Sequence, residues 1–151
     1  ERGLFELDDL REHEWNPLRH NPGPLLHSLV SRPFAPAAER LASLGARLTA
    51  IPDALATARA VLSDMPRIHA ETAVGQFAGT ASLIRAEVPP LLAGEPGLRP
   101  EVEPAAADAM RALAEFGHWL QARRHRVDAA GPASGSRARA ILDPPGRLAQ
   151  R

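Results

Sequence analysis

Apolar residues recur at three- and four-residue intervals along most of this chain, and prolines separate the segments in which they do so. Leu41, Leu44, Leu48 and Ile51 form one such series, and this spacing places side chains on one face of an α-helix. Signals for β-strands are weak, because the chain has no Tyr, only 4% aromatic residues and no alternating run of β-branched and polar residues. The pattern predicts an all-α fold, an antiparallel bundle of about five to six helices with proline-rich connections.

Prolines mark the predicted ends of the helices, because the residue before a proline is disfavoured in the αR region. We predict that the first helix ends near Trp15, that Pro24 lies in the first turn of a short helix, and that a third helix opens with Pro36 in its first turn. Pro52 is predicted to end the third helix and to begin a fourth, which closes before Pro66. Two helices joined this tightly would form an αα-hairpin.

The fifth predicted helix, residues 66–88, has two faces that could pack against other helices. One face is apolar, and Gly75 and Gly79 lie almost opposite it on a helical wheel. Glycine costs about 1 kcal/mol relative to Ala inside a helix, so a helix keeps it mainly where another backbone comes close. We therefore expect a second backbone to approach this glycine face.

The end of the chain changes character after one more helix. Pro89-Pro90 is predicted to break the fifth helix, and a sixth runs from Pro100 or Pro104 to Val127. From Ala129 onward Gly, Pro, Ala, Ser and Arg dominate with no apolar periodicity, a composition that cannot bury enough surface to order itself. The predicted organisation is a helical domain at 1–128 and a flexible C-terminal tail at 129–151.

Composition excludes several classes of function. The 18 basic and 18 acidic residues balance, so no overall charge would draw the chain to nucleic acid or to an anionic membrane. There is no Cys, which removes disulfides, thiolate nucleophiles and zinc fingers. No apolar run approaches the roughly 18 residues that a membrane span requires, and no export signal is visible. We expect a soluble cytoplasmic protein that, beginning at Glu1, is a processed product or part of a longer chain.

Chemical motifs are also missing, since no HExxH, Walker loop, GxSxG or GxGxxG occurs. His69 and Glu71 project about 200° apart on a helix and cannot share one ion. His13 and His20 are seven residues apart, but Pro17 interrupts the helix that would align them. The sequence therefore predicts no catalytic residue, no metal ligand and no cofactor for this chain.

Five residues are candidates for a substrate cleft. The uncharged side chains of His69, Thr72 and Gln76 form a stripe beside the apolar face of the fifth helix. Such a stripe can line a cleft and hydrogen-bond a peptide-like ligand, or it can bond neighbouring helices. Trp15 and Asn16 have the same two interpretations, since the Asn can form a local turn and the Trp can belong to the core.

Several motifs resemble the bacterial family called domain of unknown function 885. They are Glu14 to Leu18, His20 to Gly23, and Asp64 to Ala73 with Gln76-Phe77. The likeness extends to about Leu120, and residues 131–151 look unrelated to the family. It implies a zincin-like, all-helical architecture and a zinc-dependent peptidase or related hydrolase, with the metal held by a His-Glu motif in the later half of longer members.

Two functions follow from these observations. The resemblance implies a truncated, non-catalytic helical segment that forms a wall of a peptidase cleft. Such a segment would be inactive without the missing catalytic portion, and zinc would be present only in full-length relatives. The alternative is a stand-alone helical interaction or oligomerisation module that associates with itself. A hydrolase segment should leave an apolar face of the fifth or sixth helix uncovered, whereas a self-sufficient module should cover it. Nucleic-acid binding by the Arg-containing tail is disfavoured by the neutral charge.

Overall fold

The computed structural model describes residues 11–32 and 35–130, and every regular element in them is helical. The described part of α1 is residues 11–15, which lead into a 3₁₀ turn at Pro17–His20. The longer helices follow in chain order as α2 (Gly23–Ser31), α3 (Ala37–Val61), α4 (Arg67–Gly94) and α5 (Arg99–Ala130), with a second 3₁₀ turn at Pro96–Leu98. The predicted all-α bundle is confirmed. Predictions for residues 4–10 and for the tail after residue 130 lie outside the described residues.

The predicted αα-hairpin at Pro52 is wrong, because α3 continues through this proline as one helix. Pro52 removes one backbone donor, which costs about 3 kcal/mol in a helix interior. Apolar side chains continue at helical spacing on both sides of it, and Leu48, Ile51 and Leu55 are each at most 4% exposed. Burying each such side chain contributes about 1.5–3 kcal/mol. Burial on one face therefore outweighs the single lost hydrogen bond.

The predicted break at Pro89-Pro90 is also wrong. α4 runs through both prolines and ends at Gly94. Val88 and Leu92 are one helical turn apart on either side of the pair, and both are buried, at 3% and 2% exposure. As in α3, an apolar face that continues past a proline keeps the helix intact.

α5 is the element on which the bundle depends. It packs extensively against both α3 and α4, whereas α3 and α4 have little direct contact with each other. Phe77 of α4 and Phe116 of α5 are both 0% exposed, with ring centroids 4.8 Å apart. The short turn at Pro96–Leu98 returns the chain so that α4 and α5 run antiparallel.

Gly45 permits a close approach between α3 and α5, and it is not one of the two glycines predicted to do so. A Cβ placed on the buried Gly45 of α3 would lie 3.2 Å from a methyl group of Val102 in α5. By contrast, nothing among the described residues lies within 4 Å of a Cβ placed on Gly75 or Gly79, and both positions are exposed. The expectation that a second backbone covers the glycine face of α4 is wrong for the described part of the chain.

Candidate functional site

Asn16 organises the turn that leaves α1. Its Oδ1 accepts a hydrogen bond from the Leu18 backbone N–H at 3.1 Å, and its Nδ2 donates to the Glu12 carboxylate at 2.7 Å. The side chain is buried, at 6% exposure. Glu12 also accepts a hydrogen bond from Arg19. These bonds from Arg19 and then Asn16 hold the pKa of the Glu12 carboxyl below its ordinary value, and burial opposes them only in part.

Trp15, at the end of α1, packs against His69 in the first turn of α4. Their rings pack edge to face with centroids 5.4 Å apart. The Nδ1 atom of His69 is buried and has no hydrogen-bond partner among the described residues. Thr72, one turn further along α4, donates its hydroxyl hydrogen to the Ile68 carbonyl of its own helix at 2.8 Å.

Asn21 connects the N-terminal segment to α4. Its Oδ1 accepts hydrogen bonds from the Gly23 backbone N–H at 3.0 Å and from the Thr80 hydroxyl at 2.8 Å. Its Nδ2 donates to Oε1 of Gln76 at 3.3 Å. The Thr80 hydroxyl also lies 3.0 Å from the Gln76 carbonyl, so two acceptors share its one hydrogen. Thr80 is only 4% exposed, which makes this a partly buried polar junction between residues 55 to 59 positions apart in the sequence.

An open cleft of about 430 Å³ lies above this junction. One wall comes from the turn before α2 and from α2 itself, and the other wall comes from α4; the lining residues are Asn21, Gly23, Pro24, His27, Gln76, Gly79, Thr80 and Leu83. None of them is an acidic residue or an arginine.

Two glycines shape the cleft in different ways. A Cβ at Gly23 would come within 2.5 Å of the Thr80 hydroxyl oxygen, so glycine lets the turn approach α4. At Gly79 no described atom lies within 4 Å of a built Cβ. The missing side chain at Gly79 keeps the wall of the cleft low and leaves the helix backbone accessible.

The polar groups of the cleft are suited to a neutral polar ligand. Gln76 accepts through Oε1 from Asn21, so its two Nε2 hydrogens point away from that bond. His27 is exposed, and its Nδ1 lies 3.0 Å from the Ser31 hydroxyl oxygen, which leaves Nε2 for a ligand. Carboxamide and imidazole groups without a neighbouring formal charge can hydrogen-bond carbonyl and amide groups.

The structure separates the five predicted site residues into two groups. Gln76 alone lines the cleft, while Trp15, Asn16, His69 and Thr72 lie outside its lining. Sequence reasoning missed Asn21 and His27 as cleft residues. A signal for Asn21 was present, because Asn before Pro-Gly commonly turns the chain and bonds its own backbone, but its partners on α4 could not be read from local sequence.

Zinc does not fit the described residues. No group of three or more His, Cys, Asp or Glu residues is placed to hold a metal ion within residues 11–32 and 35–130. The ring Nε2 of His20, one of the histidines considered for a metal, lies 2.7 Å from the His13 carbonyl oxygen instead. Among the same residues, no helix combines the length and apolarity that a membrane span requires.

Comparison with known proteins identifies the family. The sequence model of the family described as bacterial protein of unknown function (DUF885) matches residues 1–141. The chain belongs to this family. The match extends past the motifs. We predicted that the likeness to DUF885 ends near Leu120 and that the sequence from Gly131 onward is unrelated to the family. Both predictions are wrong up to residue 141. No curated protein and no solved structure matches the chain.

Proposed function

We propose that this DUF885 chain is a non-catalytic helical part of a zinc-dependent, peptidase-like hydrolase, and that its cleft binds an uncharged, peptide-like stretch of a ligand. In this role the chain supplies a wall that positions the ligand. The metal and the general base come from outside the described residues. A zinc peptidase needs a metal to acidify its water and a carboxylate to take the proton.

The observation that carries the proposal is the Asn21 junction beneath the cleft. Asn21 is held by Gly23, Thr80 and Gln76, so its carboxamide has one orientation. The bond from Asn21 restrains Gln76 in turn and occupies its Oε1, so both Nε2 hydrogens of Gln76 remain for a ligand. Side chains that are already held in place before the ligand binds lose little conformational freedom on binding. This favours binding of a neutral ligand that offers no strong charge–charge interaction.

A titration followed by NMR tests the cleft. The blocked tripeptide N-acetyl-trialanine amide, which carries no charge, should shift the side-chain NH₂ resonances of Asn21 and Gln76. Gly79→Leu places a side chain in the cleft wall and should abolish those shifts. Gly75→Leu is the matched control, because it makes the same change at another open position of α4 that does not line the cleft. Shifts that survive Gly79→Leu, or their absence from the wild-type protein, would contradict the proposal.

Catalysis is tested separately. We expect the chain alone to hold no stoichiometric zinc after dialysis and to show no chelator-sensitive peptidase activity. Equimolar zinc by elemental analysis, or peptide cleavage that a chelator abolishes, would refute the non-catalytic part of the proposal without affecting the cleft.

A second candidate is the self-sufficient interaction module, and the packing of α4 and α5 favours it. Both helices bury their apolar faces within the chain, and among large hydrophobic side chains in the described residues only Leu25 and Ile68 are exposed. A hydrolase segment that docks through these faces would leave them open. Sedimentation equilibrium of the full chain distinguishes the two candidates. A concentration-dependent dimer supports the module, and a monomer up to about 100 µM argues against it, since a dimer with a Kd below that concentration would be populated there.

A further inference from the structure

A second cavity of about 260 Å³ lies between α4 and α5, and its chemistry differs from that of the cleft. Its floor is apolar and largely buried; it is formed by Ile84, Val88, Leu92, Ala106 and Met110. The surrounding lining residues on the protein surface include three charged ones. An apolar floor with a few charged groups around it is the usual composition of a small-molecule site.

The three charged residues are Arg85 of α4 and Arg99 and Glu103 of α5. All three side chains are exposed. None of them forms an ion pair with another described residue, although Arg99 and Glu103 are one helical turn apart. The cavity is therefore bordered by two cations and one anion that the described part of the protein does not neutralise.

We propose that this cavity binds an apolar amino-acid residue that carries a free carboxylate. The apolar side chain of the ligand enters the floor between Val88 and Met110. The carboxylate bonds Arg85 and Arg99, whose guanidinium groups match its geometry. The nitrogen of the ligand faces Glu103. The cavity is smaller than the roughly 300–1,000 Å³ of pockets that hold drug-sized molecules, which suits one residue rather than an extended peptide.

Two kinds of ligand carry an apolar side chain and a free carboxylate: a free apolar amino acid and the C-terminal residue of a peptide. They differ at the nitrogen, which is an ammonium in the first and an amide in the second. Glu103 distinguishes them, because a carboxylate attracts the ammonium and gains nothing from a neutral amide beyond a hydrogen bond.

The cavity is independent of the cleft. Its α4 residues, Ile84, Arg85 and Val88, lie on nearly the opposite side of the helix from Gln76, Gly79 and Leu83. Loss of binding at one site therefore need not alter the other. The Gly79→Leu protein should keep full binding in the cavity, and this separates failure here from failure of the proposed function.

The test is calorimetric titration of the full chain with L-leucine, N-acetyl-L-leucine and L-leucinamide, which lacks the carboxylate. We expect at least one of the two carboxylates to bind and leucinamide to bind about tenfold more weakly or not at all, because it loses charge-assisted bonds. The double substitution Arg85→Gln with Arg99→Gln should weaken binding of the carboxylate ligand by a similar factor. Arg111→Gln is the control for loss of charge alone: it removes one positive charge from α5 at an exposed residue outside the cavity lining.

Ala107→Phe gives a second, steric test. Ala107 lines the cavity but is exposed, so a larger side chain there should block the cavity without disturbing the core; an unchanged helical circular dichroism spectrum verifies the fold. If a free amino acid is the ligand, Glu103→Gln should weaken the binding of L-leucine several-fold. If the C-terminal residue of a peptide is the ligand, Glu103→Gln should leave the binding of N-acetyl-L-leucine unchanged. Binding of neither carboxylate at 10 mM, or binding that survives Ala107→Phe, would overturn the inference.

Discussion

The bundle of α3, α4 and α5 and the N-terminal segment at residues 11–31 are held in place by different forces. The bundle is joined through aliphatic and aromatic side chains such as Leu48, Phe77 and Phe116, each 0% exposed. The N-terminal segment buries Pro17 and Leu26, but much of its attachment is polar, through Asn21 and through the Ser63 N–H bond to the Glu14 carbonyl at 2.8 Å. Apolar packing resists separation over its whole area, whereas a few hydrogen bonds can open together, so we expect the segment to detach before the bundle unfolds.

The largest effect should come from the aromatic centre of the bundle. Phe116→Ala removes a fully buried ring that contacts Phe77 and Trp119 and should lower the free energy of unfolding by about 3–5 kcal/mol. Urea denaturation followed by circular dichroism measures this. Phe116→Leu, which keeps most of the volume, should cost clearly less. A loss below 1 kcal/mol for Phe116→Ala would mean that α4 and α5 are not joined through this contact.

Asn21→Ala should have an intermediate and local effect. It removes the hydrogen bonds to Thr80, Gln76 and Gly23, and we expect the free energy of unfolding to fall by about 1–3 kcal/mol. Hydrogen exchange should accelerate in α2 while the centre of α5 keeps its protection. Thr72→Val is the control, because among the described residues Thr72 bonds its own helix and does not connect the segment to the bundle. Equal acceleration in α2 and α5 would show that the two regions unfold as one unit.

Glycine substitutions should change stability in opposite directions at the two walls of the cleft. Gly79→Ala and Gly75→Ala each add a methyl group in open space and should stabilise α4 by about 0.5–1 kcal/mol. Gly23→Ala places a Cβ 2.5 Å from the Thr80 hydroxyl oxygen and should destabilise the segment instead. Thermal unfolding of the three variants gives the order of their stabilities directly. A stabilising Gly23→Ala would exclude the close approach of α2 to α4.

The smallest effect should be the pH dependence contributed by Glu12. Arg19 and Asn16 lower the pKa of Glu12 in the folded chain. A lowered folded pKa gives stabilisation that is complete above the unfolded pKa, roughly 4.3 for Glu, and that disappears as the pH falls through the folded value. The stability difference between wild type and Glu12→Gln should therefore be constant from pH 7 to about 5 and shrink at lower pH. High salt should reduce it, since Glu12 and Arg19 are partly exposed.

The fold could be predicted from the sequence where apolar periodicity is unbroken by proline. The short helix that has Pro24 in its first turn, the start of a helix near Pro36 and the presence of a long last helix follow from proline positions and apolar spacing alone. The errors came from treating Pro52 and Pro89-Pro90 as helix ends. The apolar series runs through all three prolines, and the burial of that series decides the outcome because several buried side chains outweigh one or two missing donors.

The candidate site was less predictable, because it is built from pairs far apart in the sequence. The polar stripe that contains Gln76 was visible as a pattern on one helix. The bonds from Asn21 to Thr80 and Gln76 span 59 and 55 residues, and nothing local indicates which residue an Asn in a turn will meet. The cavity at Arg85 likewise needs the register of α4 on α5, which depends on the packing of Phe77 against Phe116.

The arrangement of the three long helices has a consequence for how the protein is made. A ribosome synthesises α3 and α4 before α5, yet these two helices touch each other little and both rely on α5 for cover. A nascent chain that ends near residue 98 would expose the apolar faces of two finished helices with nothing to hide them. We therefore expect folding to wait until α5 has left the ribosome, and chaperones to recognise the chain most strongly just before that point.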